Sequence, residues 1–553
     1  MPKRISQTTW RSLSRRQVLS GGMMALVGTG AAALVGCGGD DDDSEGTPTE
    51  IRTSTPSQPS SSVVRGGVHV APWETEPLGQ LDPHLMKSGF VNSATFAVYN
   101  GLIRQDNADL NNLHGELADS WENADEVTFI FKLRQGVKFH DGTDFDAEVM
   151  KWNVERITAP GFVMEGKYTG PAAGLSKIEA LDATTIKFTF DTPKVNSIEA
   201  FYWTGQGISG AVSRKAGEAA GADLWKAPVG TGPFKLAQWD TGSKIVFERN
   251  PDYFEKLDGE SLPFIDRFEQ IALPDPAVRA INLQNGQLSS SPFPASSARD
   301  LESEGFEVVT GGFDALGFYP NHQRGVFSDP RLRRAVAYGI DREALARTVF
   351  FGLAQPNAGM PKASKWADPS YTGFAYDPKR AKDEMAAAGM PDGFEFEVMV
   401  LPTGDRPKAV EFMQAQLASI GIKVNIVPTE SAAYVERLMV RGEGDAVFAS
   451  NGLLGLTESG GFEAAGTPNP GRKQNPDDPK MIDFVSRISG TFDQDERRAL
   501  IQEAHRYYWD ELVAIIPVVD YTPPQVMGKG WTNLDFVPPY TFFPDYKRIA
   551  RNA

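Results

Sequence analysis

One stretch of this chain, residues 115–157, constrains its fold more than any other. Residues 128–134 alternate apolar and polar side chains, and a period of two indicates a half-buried β-strand. Gln-Gly and Asp-Gly turn dipeptides then bracket a short second strand, and Asp146 is placed to cap the helix that follows. Residues 116–121, ahead of the first strand, favour a short helix or turn. The stretch therefore predicts a strand–turn–strand–helix unit.

The second half of the chain has a different pattern, in which helices alternate with strands. Asp329-Pro330 and Asp377-Pro378 put proline in the first turn of two predicted helices, and residues 394–400 and 422–427 predict strands. This alternation predicts an α/β lobe. A chain of 553 residues is long enough for more than one hydrophobic core. The polar residues 289–297 predict a flexible break, and we place a lobe boundary shortly after it.

The charge balance and the single cysteine exclude several classes of function. The formal net charge is −17, and phosphate binding needs clustered Lys and Arg, so nucleic acid is not an expected partner. Cys37 alone cannot form an intramolecular disulfide or a cysteine zinc cluster. After the first forty or so positions, no apolar run reaches the ~18 residues that span a bilayer. The body of the chain is therefore expected to be soluble.

No catalytic or cofactor motif stands out in the sequence. It contains no HExxH, no GxxxxGK[ST] P-loop and no GxSxG nucleophile elbow. We expect its six histidines to be polar surface or turn residues rather than metal ligands. A GxGxxG run at 205–210 follows an aromatic cluster, not a clear parallel strand, so it favours a flexible loop over dinucleotide binding. We therefore expect no enzyme activity, no cofactor and no metal.

The first 36 residues have the order of an export signal. Basic residues, among them Arg15 and Arg16, precede a Gly/Ala-rich apolar stretch. Residues 14–20 resemble the twin-arginine export motif, and an ordinary secretory signal stays open as the alternative. The stretch ends in a segment that resembles a lipobox, in which the Cys37 sulfur carries a membrane-anchoring lipid. Residues 37–64, acidic and then rich in Ser, Thr and Pro, predict a disordered tether.

Three groups of motifs stand out by their order and spacing. They are LADSWE followed by TFIFKLRQGVKFHDGTDFDAEVM, PVGTGPF followed by NPDY, and SDPRLRRAVAYGIDREAL. Together they resemble the family 5 extracytoplasmic solute-binding proteins, the peptide- and oligopeptide-binding receptors of ATP-binding-cassette (ABC) importers. The resemblance covers about residues 66–546. It implies an α/β, two-lobed periplasmic-binding-protein type II-like fold with an extra subdomain inserted in the first lobe.

The resemblance also implies an organisation and a function. Lobe I would span 65–305 with the inserted subdomain at about 101–225, lobe II would span 306–520, and 521–553 would return to lobe I. The expected protein is an extracytoplasmic lipoprotein, anchored to the cell membrane. It would capture a peptide or similar small solute and deliver it to the permease and ATPase subunits. A non-peptide solute such as an oligosaccharide, a secreted lipoprotein enzyme, and a peptide-interaction or chemosensory protein stay open.

The same resemblance implies where a ligand would bind. Tyr202 and Trp203 would lie near the cleft between the lobes. Phe313, Phe318 and Asn321 would line the segment that enters the second lobe. For each of these side chains, packing inside a lobe or at the hinge is the alternative.

One departure from the family pattern bears on the ligand. Peptide-binding members carry an acidic residue shortly after the strand that corresponds to residues 445–449, and it pairs with the α-ammonium of the peptide. Here the chain continues SNGLLGL from Ser450, with no acid before Glu458. Asn451 becomes the candidate contact in this run. The departure puts a zwitterionic peptide in doubt and makes an uncharged solute an alternative.

Overall fold

The computed structural model describes most of the chain from Val63 onward. The described residues are 63–73, 81–85, 93–106, 112–162, 166–168, 170–203, 208–311, 315–357, 359–360, 364–450, 462, 467–468, 473–536 and 544–552. The predicted signal and tether up to residue 62 lie outside them, and so do Arg15, Arg16 and Cys37. Within the described part of the chain, no helix is long and apolar enough to cross a membrane.

A four-stranded antiparallel sheet forms the centre of the region predicted as the inserted subdomain. The described chain begins with β1 (Val63–Val64), β2 (Val68–Trp73) and α1 (Ser93–Val98). The subdomain then contains β3 (Ile103–Gln105), β4 (Leu113–Gly115), β5 (Ala118–Asn123), β6 (Thr128–Leu133), α2 (Ala147–Arg156), β7 (Leu175–Asp182), β8 (Thr185–Phe190) and α3 (Arg214–Ala220). The sheet order is β5-β6-β8-β7. Its core is aromatic, because Phe131, Phe188 and Phe201 pack with ring centroids 4.6–5.8 Å apart.

The structure confirms β6 and α2 and corrects the segments around them. Residues 116–121 form neither a helix nor a turn, because β5 pairs antiparallel with β6 and sets Trp121 opposite Phe131. The predicted strand at 137–140 is reduced to a single bridge, Lys138 to Asp144. Asp146 caps α2 as expected, since its side chain accepts the backbone N–H of Val149 over 2.9 Å.

A mixed sheet forms the core of the first lobe. Its later elements are β9 (Phe234–Asp240), β10 (Lys244–Arg249), β11 (Lys256–Leu257), β12 (Glu260–Ser261) and β13 (Arg267–Ala272). The sheet order is β2-β13-β10-β9, with β2 parallel to β13 and the other pairs antiparallel. Phe234, Phe247 and Phe268 are buried at its centre.

A small module follows the first-lobe sheet. It contains α4 (Pro276–Gln284), β14 (Ser290–Pro292), α5 (Ala295–Ser303) and β15 (Glu307–Val309). Residues 289–297 are therefore not a flexible break, and Ser289, Ser290 and Ser291 are buried. The polarity of these serines suggests a loop, but their hydroxyls are used inside the fold. Ser289 Oγ accepts the N–H of Val70 in β2, and Ser290 Oγ forms a hydrogen bond with Nε2 of His69 in the same strand.

The second lobe is an α/β sandwich around a six-stranded sheet. Its elements are β16 (Ala315–Pro320), α6 (Pro330–Tyr338), α7 (Arg342–Thr348), β17 (Gln355–Pro356), α8 (Pro378–Ala387), β18 (Phe394–Val400), α9 (Arg406–Ala418), β19 (Ile422–Pro428), α10 (Ser431–Tyr434), β20 (Ala446–Ser450), α11 (Pro479–Gly490), α12 (Gln494–Arg506) and β21 (Ile516–Asp520). The sheet order is β17-β21-β16-β20-β18-β19, and β18 is parallel to both of its neighbours. Helices cover both faces, as the alternating sequence pattern predicts.

Alternate residues of the sheet serve two separate cores. Phe318 and Phe448 face the side that α6, α7, α8 and α9 cover, whereas Tyr319 and Val447 face the side of α11 and α12. Successive side chains of a strand point to opposite faces, so strands buried on both faces are apolar throughout.

The chain ends by returning to the first lobe and the module. The last strands are β22 (Gln525–Met527), β23 (Trp531–Thr532) and β24 (Ala550–Asn552). β22 lies between β14 and β15, and β24 lies between β1 and β23. The module is therefore completed by a strand from the far end of the chain.

Candidate functional site

The second-lobe sheet has one end at which the chain enters and leaves the lobe. β16 begins at Ala315, β20 ends at Ser450 and β21 ends at Asp520. Strand pairing puts Leu316 opposite Ser450 and Ala315 opposite Asp520, and the parallel strand β18 ends there too. Ligands of open α/β sheets bind outside the carboxyl ends of parallel strands. We call this the crossover end, and it is the candidate wall of a binding cleft.

Asp405 lies at the crossover end, directly before α9. It does not cap its own helix. Its Oδ2 instead accepts the N–H of Ala295 at the start of α5 over 2.9 Å and the hydroxyl of Tyr521 over 2.5 Å. Burial raises the pKa of Asp405. This carboxylate joins the second lobe to α5 of the small module and to the chain that leaves the lobe after β21. Its role in the structure is therefore to hold these segments together.

Asn357 and Asp520 form a second polar contact near this end. Asn357 Nδ2 donates to Asp520 Oδ1 over 2.5 Å, and Asn357 Oδ1 accepts the N–H of Gly359 over 2.7 Å. Asn357 is 4% exposed, so an unsatisfied amide would be costly there. The pair fixes the path of the chain after β17.

On the first-lobe side, residues 81–84, the LDPH segment, hold a buried charge cluster. Arg156 donates to both oxygens of Asp82, over 2.9 and 2.6 Å, and its Nη1 also lies 2.9 Å from His84 Nδ1. Since His84 Nδ1 accepts from arginine, its Nε2–H donates to the carbonyl of Gly210 over 3.1 Å. Burial lowers the pKa of His84 to about 4. The ring is therefore a neutral structural group that joins α2, the LDPH segment and the glycine-rich loop.

A second buried charge network joins the subdomain to the first lobe. Arg104 and Lys547 flank Glu255 at 3.4 and 2.8 Å. Burial raises the pKa of Glu255, but the two cations outweigh that effect and hold it below its ordinary value. Glu116, in the family motif beside LADSWE, accepts from Asn100 Nδ2 and from the N–H of Gly101, both over 2.8 Å, and burial raises its pKa. Three distant stretches of chain meet in this network.

Three of the predicted ligand contacts lie inside the lobes. Trp203 is 3% exposed in the first-lobe core, with its ring 5.9 Å from that of Phe96. Phe318 is 1% exposed and packs against Phe448 at 5.3 Å. Asn321 is fully buried and donates to the carbonyls of Gly442 and Gly444. The geometry of these three residues matches the packing alternative rather than ligand contact.

The other predicted contacts have different outcomes. Tyr202 is half-buried and follows a 3₁₀ turn, Ser197–Phe201, so its ring stays a candidate. Phe313 and Asn451 lie outside the described residues. The sequence gives no sign of the role of Asp405, because its partners Ala295 and Tyr521 lie far away along the chain.

Among the described residues, no group of three or more His, Cys, Asp or Glu side chains could hold a metal ion. Two surface hollows, of about 660 and 440 Å³, lie in the second lobe. The larger lies between α6, α8 and the turn after α12. The smaller lies between α9 and the edge strand β19. Neither is lined by residues of the crossover end.

The fold and the position of the crossover end define a two-lobed periplasmic binding protein. The structure resembles DppA from Helicobacter pylori, an ABC transporter-associated periplasmic binding protein in complex with peptide STSA. The TM-score is 0.74 and the identity 24%, with 89% of this chain and 99% of that chain covered. It also resembles AgaA from A. tumefaciens R10 in complex with agropinic acid, with a TM-score of 0.74, 25% identity, and 88% and 99% coverage.

Sequence comparison places the chain within a family. Residues 112–471 match the model described as bacterial extracellular solute-binding proteins, family 5 Middle. The glutathione-binding protein GsiB of Escherichia coli strain K12 is 28% identical over 457 residues, which is 80% of this chain and 86% of that protein. This chain belongs to the family 5 extracellular solute-binding proteins. It is a solute-binding protein of the kind that works with ABC importers.

Proposed function

We propose that this protein is the lipid-anchored, substrate-binding component of an ABC import system. It captures a peptide or a similar small solute between its two lobes and delivers it to the permease. The observation that carries the proposal is the crossover end, where four strands of the second lobe meet the connections to the first in a chain of this family. Hinge closure around a solute at such a site is a well-known mode of binding.

The class of ligand rests on the chemistry available near the crossover end. The Asp405 carboxylate accepts from Ala295 and Tyr521, and Asp520 accepts from Asn357, so both acids have structural partners. The run from Ser450 supplies no acid before Glu458. An α-ammonium buried without a partner carboxylate would be strongly disfavoured. These points support a second candidate, an uncharged solute such as an oligosaccharide, beside the peptide.

Native mass spectrometry of the gently purified protein tests the proposal, because a captured solute would add its mass. A thermal-shift panel should then include glutathione, the peptide STSA, agropinic acid and neutral oligosaccharides. A true ligand at 100 times its Kd should stabilise the protein by ~2.7 kcal/mol and raise Tm. No shift across the panel together with no bound mass would contradict the proposal. Turnover of a bound compound would instead indicate an enzyme.

A further inference from the structure

The inserted subdomain touches the second lobe through a main-chain hydrogen bond. The backbone N–H of Val195, in the loop after β8, donates to the carbonyl of Ser489 over 3.0 Å. Val195 belongs to the subdomain, because the preceding strand β8 lies in the β5-β6-β8-β7 sheet. Ser489 belongs to the second lobe, because Met481, Phe484 and Ile488 of α11 pack into its core.

The acceptor in this contact is a carbonyl in the last turn of α11, where the helix itself offers no partner. The last four carbonyls of a helix have no partner within it, and α11 ends at Gly490. The carbonyl of Ile488 accepts the N–H of Thr491, and that of Arg487 accepts the Thr491 hydroxyl. The Ser489 carbonyl is satisfied by Val195 from another part of the molecule.

The donor loop is buried at Val195 and Ser197, although its first residues, 191–193, are exposed. Val195 is 8% exposed, and Asn196 Oδ1 and Ser197 Oγ beside it are buried without a hydrogen-bond partner. Unpartnered polar atoms disfavour the buried state of a loop, since water would satisfy them. A contact that combines one main-chain hydrogen bond with such a loop is weak and reversible.

We propose that residues 191–196 and the end of α11 form a clasp that fastens the inserted subdomain to the second lobe when the two lobes are closed. The clasp gives the subdomain a role in closure that is separate from solute contact. It also holds the lobes together through residues other than those by which the chain enters and leaves the second lobe. Because a main-chain donor meets a main-chain acceptor, the clasp works for any side chain at position 195 except proline, which has no N–H.

Disulfide trapping tests the contact directly. The full mature chain with Cys37→Ser receives Val195→Cys and Ser489→Cys, and free thiols are counted after mild oxidation. The backbone N of Val195 lies 3.0 Å from the carbonyl oxygen of Ser489, so the two residues are close enough for a disulfide to be tried between them. The matched control pairs Val195→Cys with Ile482→Cys, an exposed position about two turns earlier on α11. We expect bridging in the first pair only. Equal bridging in both pairs, or none in either, would overturn the clasp.

A second comparison keeps the proposal open to refutation if the cysteine pair disturbs folding. Val195→Pro removes the N–H, whereas Val195→Ala keeps it. Small-angle scattering of the two variants, each with an unchanged thermal transition, should give a larger radius of gyration for the proline variant. Identical radii would overturn the proposal. Neither test uses a solute, so failure of the clasp leaves the proposed transport function untouched.

Discussion

At the scale of single residues, the motifs that identify the family are mainly structural. Arg333 of the SDPRLRR run is buried and donates through Nε and Nη2 to the carbonyl of Leu512. Arg342 of GIDREAL is buried and donates to five carbonyls, including those of Pro517 and Phe374. These arginines hold α6 and α7 against β21 and against the residues that precede this strand. A motif in this chain therefore reports the fold more directly than it reports the ligand.

The pair of Arg156 and Asp82 should be the most sensitive of these contacts. Their side chains are 5% and 0% exposed, so Arg156→Met leaves a buried carboxylate without its partner. We expect a loss of ~3–5 kcal/mol in the free energy of unfolding, measured by urea denaturation. Arg214→Met is the matched control, because its pair with Glu218 is exposed, and it should leave the urea midpoint unchanged. Equal effects of the two substitutions would contradict a buried, paired charge at Arg156.

The proposed anchor depends on one thiol. Cys37→Ala removes the sulfur that would carry the lipid, so the protein should move from the membrane fraction to the soluble fraction. Fractionation followed by immunoblotting measures this change. Cys37→Ala protein that still sediments with membranes would refute lipid anchoring at this position.

At the scale of elements, the sequence predicts periodicity well and misses long-range pairing. The alternation at β6, the cap of α2 and the first-turn prolines of α6 and α8 are local signals, and the structure confirms them. β5 was mistaken for a helix or turn because its strand character depends on β6 beside it. The buried serines before β14 looked like a loop because their partners lie in β2, far away in sequence. Burial of the candidate contacts Trp203 and Phe318 was equally invisible, since apolar side chains suit both a core and a cleft.

In the PVGTGPF motif, a glycine is needed at position 232 because the backbone of α1 passes very close to it. A Cβ added to Gly232 would lie 2.5 Å from the backbone carbon of Val98, at the end of α1. Gly232→Ala should therefore push α1 away from β9 and destabilise the first lobe by ~1–3 kcal/mol, as overpacking does. Gly490→Ala is the control, because nothing lies within 4 Å of its added Cβ, and it should be neutral or slightly stabilising. Thermal unfolding measures both variants, and a neutral Gly232→Ala would contradict the close approach.

At the scale of the whole molecule, the buried histidines set the response to acid. The sequence analysis expected surface or turn positions, but burial lowers the pKa of His84, His140 and His505 to about 4 and that of His69 and His322 to about 3. The residues that bury these rings lie far from them along the chain, so the local sequence gives no sign of the burial. All five are neutral in the folded protein at neutral pH.

Stability should therefore fall as pH decreases from about 6.5 towards 4. In that window the unfolded chain binds protons on these histidines and the folded chain does not, which favours unfolding. The free energy of unfolding should drop by up to ~1.4 kcal/mol per pH unit for each histidine. Glu116 and Asp405, whose pKa values are raised by burial, oppose the trend in part. Urea midpoints at pH 7, 6, 5 and 4.5 measure the slope, and a flat profile would contradict neutral buried rings.

The pairing of β1 with β24 decides which half of the molecule is held still. Val63 lies opposite Asn552, so the first and last residues of the described part of the chain lie side by side at the first lobe. An attachment made through the residues before Val63 would therefore hold the first lobe and not the second. Under the proposed anchoring, the second lobe would be the part that moves relative to the membrane, and a fluorescent tag fused after Asn552 would mark the stationary half.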